Sequence, residues 1–187
     1  MSRIAIVTGS NRGIGYETVR ALAKSESFQS VYLTAIDPDL GKRATEKLNS
    51  EENGDIIKFH QLDITCDQSI SKFATFISEN HGGFDVMVQN AGLGPDAVEP
   101  FHTQVEKIMK INFWGTLKMM KKFMPMARPN ARIVLLSSMA CWRAQLSFTP
   151  GSNPLAQEIN LCNRSLTLER LEELAQKFVS DAKDAVF

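Results

Sequence analysis

The feature that most constrains this chain is a glycine-spaced turn set directly behind its first apolar run. Ile4-Ala5-Ile6-Val7-Thr8 is short, continuous and rich in β-branched residues, the pattern of a parallel strand buried on both faces. Gly9-Ser10-Asn11-Arg12-Gly13-Ile14-Gly15 follows and opens a helical pattern. Gly9 permits a tight turn, Gly13 lets the backbone approach a pyrophosphate, and Gly15 allows close helix packing. The helix amino terminus then offers free N–H groups to phosphates. This spacing alone also suits an ordinary strand-to-helix connection; its place behind the first strand is what points to a bound nucleotide.

Downstream, apolar strand-like runs alternate with amphipathic stretches, the mark of an α/β chain with helices on both faces of a parallel sheet. Strands are predicted near 3–8, 30–35, 56–61, 84–88 and 131–136, and helices near 13–25, 39–50, 67–80 and 103–127, with Pro125 and Pro129 closing the last helix. Right-handed crossovers order such a Rossmann-like, doubly wound sheet 3-2-1-4-5, with the ligand crevice at the carboxyl ends of strands 1 and 4. Gly9 and Asn90 fall at that crevice. After Trp142 the texture changes, so residues 1–142 are expected to form the dinucleotide-binding domain and 143–187 a helical C-terminal segment of the same domain. Within it, Ser147 to Pro154 reads as loop, and Leu166 to Val186 as an amphipathic segment whose stripe of Leu168, Leu171, Leu174 and Phe178 serves packing.

Composition removes several function classes. A chain of 187 residues with 43% apolar content suits one globular domain. Twenty-one basic residues balance twenty-one acidic ones, so no overall field favours nucleic acid or an anionic membrane. No apolar run approaches the roughly 20 residues that span a bilayer. The first strand begins within three residues of Met1, so no signal segment is expected. A soluble, cytoplasmic protein acting on a small molecule is expected. Cys66, Cys141 and Cys162 are odd in number and widely spaced, which indicates neither a disulfide framework nor a metal site. His60, His81 and His102 have no carboxylate at a telling spacing, and Glu51-Glu52 and Glu172-Glu173 read as solvated helix faces, so hydrolase readings lack support.

Further motifs fall at strand ends. Leu62-Asp63-Ile64 follows the third strand, where Asp63 either accepts an adenine amino hydrogen or caps a helix. Asn90-Ala91-Gly92 follows the fourth, as small residues admitting a cofactor or as a plain turn. As a set, Thr8-Gly9-x-x-x-Gly13-x-Gly15, Asp63, Asn90-Ala91-Gly92, Asn112 and Ser137-Ser138 resemble the short-chain dehydrogenase/reductase family. Phe59-His60-Gln61-Leu62-Asp63-Ile64, Gly82-Gly83-Phe84-Asp85-Val86 and Asn112-Phe113-x-Gly115-Thr116 look like its NADPH-dependent carbonyl reductases. The resemblance covers nearly the whole chain. It implies cofactor contacts from Asn11, Arg12, Gly13 and Ile14, from Asp63 and Ile64, and from Asn90. It implies that Ser138 hydrogen-bonds a substrate carbonyl and that Asn112 helps hold a proton-relay water. The implied reaction is hydride transfer to a ketone, aldehyde or quinone carbonyl, with a tyrosine protonating the alkoxide and a nearby lysine lowering that tyrosine's pKa.

The chain departs from the family pattern at that last point. Its only tyrosines are Tyr16 and Tyr32, and neither has a lysine four residues on. The segment from Arg143 to Phe187 resembles the helical insertion that, in the carbonyl reductases, covers the helix surface used by relatives to dimerise. The chain is therefore expected to be truncated before the tyrosine-bearing helix and the sixth and seventh strands. General acid–base catalysis contributes about 10²–10⁴-fold, so a weak or inactive catalyst is expected, with a non-catalytic nucleotide-binding module, a regulatory short isoform or an unstable fragment as alternatives. A fifth strand left as an edge, and a long helix uncovered along Ile111, Leu117 and Met120, point to self-association. Phe113, Trp114 and Phe123 read as core residues. Arg12 favours NADP; Ile36 stands where the family has an arginine, and Asp37 pulls toward NAD. With Lys42 and Arg43 compensating, the balance favours NADP(H) over NAD. Gln89 replaces the family's first asparagine, which bears on sheet support.

Overall fold

The computed structural model describes residues 3–52, 54–138 and 166–184. The loop expected at Ser147 to Pro154, the boundary at 142, Cys141 and Cys162 lie outside the described residues. The chain divides into two compact units: residues 1–93 with 110–136, and residues 94–109 with 137–187.

The first unit is a five-stranded parallel sheet of order 3-2-1-4-5, as the alternating pattern predicts. Its strands are β1 (Ile4–Val7), β2 (Ser30–Ala35), β3 (Ile57–Gln61), β4 (Phe84–Gln89) and β5 (Ala127–Leu135). Between them lie α1 (Gly13–Lys24), α2 (Pro38–Glu51) and α3 (Asp67–His81). Strand side chains alternate between two cores. Ile4 and Ile6 join Tyr32, Phe73, Ile77, Phe84, Met87 and Phe123 on one face; Ala5 and Val7 join Val19, Val31, Leu33, Leu48 and Val88 on the other. Each fully buried Ile, Leu or Phe contributes about 1.5–3 kcal/mol, so β1, buried at every position, sits where the hydrophobic effect is largest.

The helix predicted over 103–127 is interrupted. α4 (Phe101–Met109) passes into a π-helical turn at Lys110–Gly115, then α5 (Thr116–Phe123) and a 3₁₀ turn at Met124–Met126. The π turn carries Asn112 and ends on Gly115, where an added Cβ would crowd Ile64 at 3.0 Å. The helix closes at Phe123 because Pro125 has no N–H to continue the ladder. Phe123 and Met119 are buried, whereas Phe113, Trp114, Ile111, Leu117 and Met120 are half-buried.

β5 begins at Ala127 instead of 131. Its register against β4 jumps from Phe84↔Ala127 to Val86↔Arg132, a bulge containing Pro129 and Asn130, the latter at φ 67°. A proline without a donor and a left-handed asparagine are both tolerated in a bulge of a strand with one free side. Arg128 fixes the bulge by donating to the Asp85 carboxylate at 2.8 Å and to the His81 carbonyl, while Ile4 N–H donates to the same Asp85 oxygen at 2.7 Å.

In the second unit α4 packs on α6 (Leu168–Asp184). The Phe101 and Phe178 rings lie 6.4 Å apart, and Lys183 pairs with Glu106 at 2.5 Å. The buried face of α6 is Leu174, Ala175 and Val179; Leu168 and Phe178, expected in the stripe, are exposed. The stripe read from Leu168, Leu171, Leu174 and Phe178 missed the buried Ala175 and Val179. Gln104 holds the preceding loop, accepting from Asp96 N–H at 2.6 Å and donating to the carbonyls of Asp96 and Glu99 at 3.1 and 2.5 Å. Among the described residues no helix is long and apolar enough to cross a membrane, and no group of His, Cys, Asp or Glu is arranged to hold a metal ion.

Candidate functional site

The candidate site residues of the first unit cluster at strand carboxyl ends, around the turn after β1. Gly9 has φ 59°, and a Cβ there would stand 2.8 Å from Ala91 Cα. Gly13 has φ 61° and a different environment: a Cβ there meets nothing within 4 Å. Gly9 and Gly15 are thus glycines because protein fills the space beside them, Gly15 lying against Ser10 Cα and the Asn90 amide. Gly13 combines a left-handed backbone with an open face, which is what the approach of a phosphate requires. Arg12 is the N-cap of α1 but supplies no side-chain cap, and the first turn holds no acidic residue. The positive end of the helix dipole therefore faces outward without a competing carboxylate.

Two hydroxyl-centred ties hold this turn. On one side, buried Thr8 Oγ1 accepts from the N–H groups of Asn90 and Ala91, both at 3.0 Å, while Asn90 Nδ2 donates to the carbonyls of Thr8 and Gly9, both at 2.9 Å. On the other, Ser10 N–H donates to Thr34 O at 2.8 Å and Thr34 N–H donates to Ser10 Oγ at 3.0 Å. Thr8, Ser10 and Thr34 are each fully buried. Sequence reading placed Thr8 in the motif but missed Ser10 and Thr34; only their spacing of 24 residues across two strand ends, visible once β1 and β2 pair, reveals them.

The remaining expected residues divide by what their side chains touch. Asn90 is turned into the protein by its two bonds to the first turn, so a ligand contact from it falls to the backbone. Asp63 Oδ1 accepts from Thr65 N–H and Thr65 Oγ1, both at 2.8 Å, an Asx turn ahead of α3. No described residue donates to its second oxygen. The Ile64 side chain is buried in the core, which leaves its backbone to meet a ligand. Asn112 Oδ1 accepts from Leu93 N–H at 2.8 Å and its Nδ2 donates to Leu93 O at 2.9 Å. The asparagine amide therefore fastens the π turn to the segment after Gly92, and a water contact from this residue falls to its backbone. Ser138, exposed, belongs to the second unit.

Arg12, Lys42 and Arg43 are exposed, and none makes an ion pair among the described residues. Asp37, which read as an acid pulling toward NAD, caps α2: its Oδ1 accepts from the N–H groups of Asp39 and Leu40, both at 2.9 Å. Ile14 and Ile36 are exposed apolar side chains, 69% and 62% accessible.

Neither tyrosine is placed as a proton donor to a ligand. The Tyr16 hydroxyl is buried without a hydrogen-bond partner among the described residues, and the Arg20 guanidinium lies over its ring. Tyr32 OH lies 2.6 Å from His81 Nε2, packed edge-on against Phe73 and Phe76. Burial raises the Tyr32 pKa, the opposite of what an acid catalyst near neutrality needs. Burial likewise lowers the pKa of His60 and of His81, the latter also repelled by Arg128.

This geometry has many counterparts. The chain is 40% identical to carbonyl reductase (NADPH) 1 of Rattus norvegicus over 98% of its own length and 64% of the relative's. It thus spans less than two thirds of that curated relative. Menthone neomenthol reductase from Mentha piperita superposes at TM-score 0.83 with 26% identity, covering 98% of this chain and 75% of that one. Salutaridine reductase from Papaver somniferum superposes at 0.82 with 29% identity, covering 97% and 71%. The family model for short chain dehydrogenases matches residues 3–150. With the strand order, the glycine turn and these matches in agreement, the chain belongs to the short chain dehydrogenase family.

Proposed function

We propose that this chain binds NADP(H) across the carboxyl ends of β1, β2 and β4 and belongs functionally with the NADPH-dependent carbonyl reductases. The observation that carries the binding reading is the pairing of an open, left-handed Gly13 with an uncapped helix amino terminus. Thr8, Gly9, Ser10 and Gly15 face protein groups, whereas the open face at Gly13 is the one that suits phosphate oxygens. Backbone N–H groups of the first turn of α1 would hold the pyrophosphate. Asp63, through its second oxygen, would accept from the adenine amino group. Arg12, with Lys42 and Arg43, supplies cations for a 2′-phosphate, and the engagement of Asp37 in capping α2 weakens the case for NAD. NADPH being the cofactor in the name of the rat relative supports the same choice.

When bound, the nicotinamide supplies a hydride to a ketone, aldehyde or quinone carbonyl. Ser138 is proposed to donate a hydrogen bond to that carbonyl as negative charge grows on its oxygen. The backbone of Asn112 would hold a relay water. Among these 187 residues no Tyr-x-x-x-Lys occurs, and Tyr16 and Tyr32 are packed elsewhere, so the chain as it stands is proposed to bind cofactor with weak or no turnover. Calorimetry with NADPH and NADH, followed by addition of a quinone and measurement of nicotinamide absorbance, tests this. Tighter binding of NADPH with little turnover is the expected result; no binding of either nucleotide overturns the reading, and brisk turnover overturns the inactive part of it. Val134 and Leu135, exposed on β5, are proposed as a self-association surface. A sedimentation coefficient independent of concentration refutes that.

A further inference from the structure

We propose that the buried hydroxyl clamp of Ser10 and Thr34 is a positioning device that sets the adenosine end of the cofactor site, and with it the preference for a 2′-phosphate. This rests on the nucleotide reading above. The paired ladder of β1 and β2 ends at Val7↔Leu33. Beyond it, Ser10, through main chain and side chain, and the Thr34 main chain are joined by a closed ring of two bonds: Ser10 N–H to Thr34 O at 2.8 Å and Thr34 N–H to Ser10 Oγ at 3.0 Å. Both hydroxyls also donate to the same acceptor, Val7 O, Ser10 Oγ at 2.8 Å and Thr34 Oγ1 at 3.1 Å. Both residues are fully buried, so water does not replace these bonds when one is lost.

The clamp continues the connection between the two strands into the segments that carry the adenosine-facing groups. Asn11 and Arg12 follow Ser10 directly; Ile36 and Asp37 follow Thr34 by two and three residues. The second corner is itself rigid, because Asp37 caps α2 and Gln61 Nε2 donates to Ile36 O at 3.0 Å. The placement of the Arg12 turn against the Ile36–Asp37 corner therefore depends on Ser10 and Thr34. The Thr8–Asn90 tie joins the same turn to β4 by separate atoms. The two ties hold opposite sides of the turn, so loosening one changes recognition at one end of a dinucleotide and leaves the other tie in place.

The test uses the whole chain and two probes, 2′,5′-ADP and 5′-ADP, with affinities measured by calorimetry for the unaltered protein and for Ser10→Ala, Thr34→Val and Thr34→Ser. The expected result is that Ser10→Ala weakens 2′,5′-ADP by about fivefold to tenfold, the effect of one hydrogen bond to the 2′-phosphate lost when Arg12 is misplaced, while 5′-ADP changes by less than about twofold. Thr34→Val shifts the ratio in the same direction, and Thr34→Ser, which keeps the hydroxyl, restores it. Equal weakening of both probes in step with a lower urea midpoint overturns the proposal, because that is the signature of a merely structural role. Should Ser10→Ala not fold, the Thr34→Val and Thr34→Ser pair decides, since both keep every backbone bond. Unaltered protein that binds neither probe overturns the nucleotide reading and this inference together; unaltered protein that binds both, with ratios unmoved in the variants, overturns this inference alone.

Discussion

Replacing Thr8 by valine keeps the shape of a fully buried side chain and removes a hydroxyl that accepts from two backbone donors, the N–H groups of Asn90 and Ala91 at 3.0 Å each. An unsatisfied buried donor costs about 1–3 kcal/mol. Asn90 and Ala91 are half-buried, so solvent relieves part of that penalty and the lower half of the range applies to each. The expected loss is about 2–4 kcal/mol, which at a mid-range urea slope of about 2 kcal/mol per molar lowers the unfolding midpoint by about 1–2 M. Urea denaturation followed by circular dichroism reads this directly. Thr8→Ser, which retains the acceptor, is expected within about 1 kcal/mol of the unaltered protein, the cost of one buried methyl group. A valine variant within about 0.5 kcal/mol of the unaltered chain would refute the reasoning, because measured surface substitutions with no partner fall in that range. The same variant removes two of the four hydrogen bonds that tie Thr8 and Gly9 to Asn90 and Ala91, leaving the two from Asn90 Nδ2, so NADPH affinity is expected to fall with stability.

Gly13→Ala places a methyl group in the open face of the turn at φ 61°; it is expected to abolish measurable NADPH binding by calorimetry while lowering stability by only about 1 kcal/mol, and intact binding would refute the assignment of that face. Asp37→Ala removes the cap of α2 and is expected to cost about 1 kcal/mol in urea unfolding without raising the NADPH-to-NADH affinity ratio; a rise in that ratio would show that Asp37 opposes the 2′-phosphate. Burial lowers the pKa of His60 and His81 below 6.5, so the unfolded chain binds more protons than the native one as pH falls through the unfolded value, and stability declines on that side. The urea midpoint is expected to fall between pH 7.5 and 5.5, less steeply in His81→Gln, and equal slopes in the two proteins would exclude His81 as a contributor. At the alkaline end the raised pKa of Tyr32 makes the native chain hold its proton longer, so stability is lost as pH rises above about 10, an effect that Tyr32→Phe should remove.

The sheet order was legible because its determinants are local and repetitive. β-branched runs, amphipathic intervals and right-handed crossovers leave a few doubly wound orders for five parallel strands, and 3-2-1-4-5 is the one that accompanies a dinucleotide turn behind the first strand. The glycine turn was legible for the same reason: three glycines at fixed spacing behind a buried strand have few other uses. Side-chain roles were less so. Ile64 sits in a ligand motif but packs in the core, Asn90 and Asn112 direct their amides to backbone partners, and Asp37 caps a helix. Each of these depends on which atoms lie nearest once distant segments meet, and residue type alone leaves that open.

By itself the sequence determined the class of fold, the order of the strands and the glycine turn behind β1, since hydrophobic periodicity and glycine spacing act over a few residues. It also carried the absence of a Tyr-x-x-x-Lys pair within these 187 residues. Tertiary structure alone decided the π turn at Asn112, the bulge that starts β5 at Ala127, and the joining of Ser10 to Thr34 across 24 residues. Those features come from hydrogen bonds between strand ends and from close contacts at Gly15 and Gly115. Such bonds form only after β1, β2 and β4 have come together, because burial is what makes an unpaired hydroxyl or amide costly enough to dictate its partner.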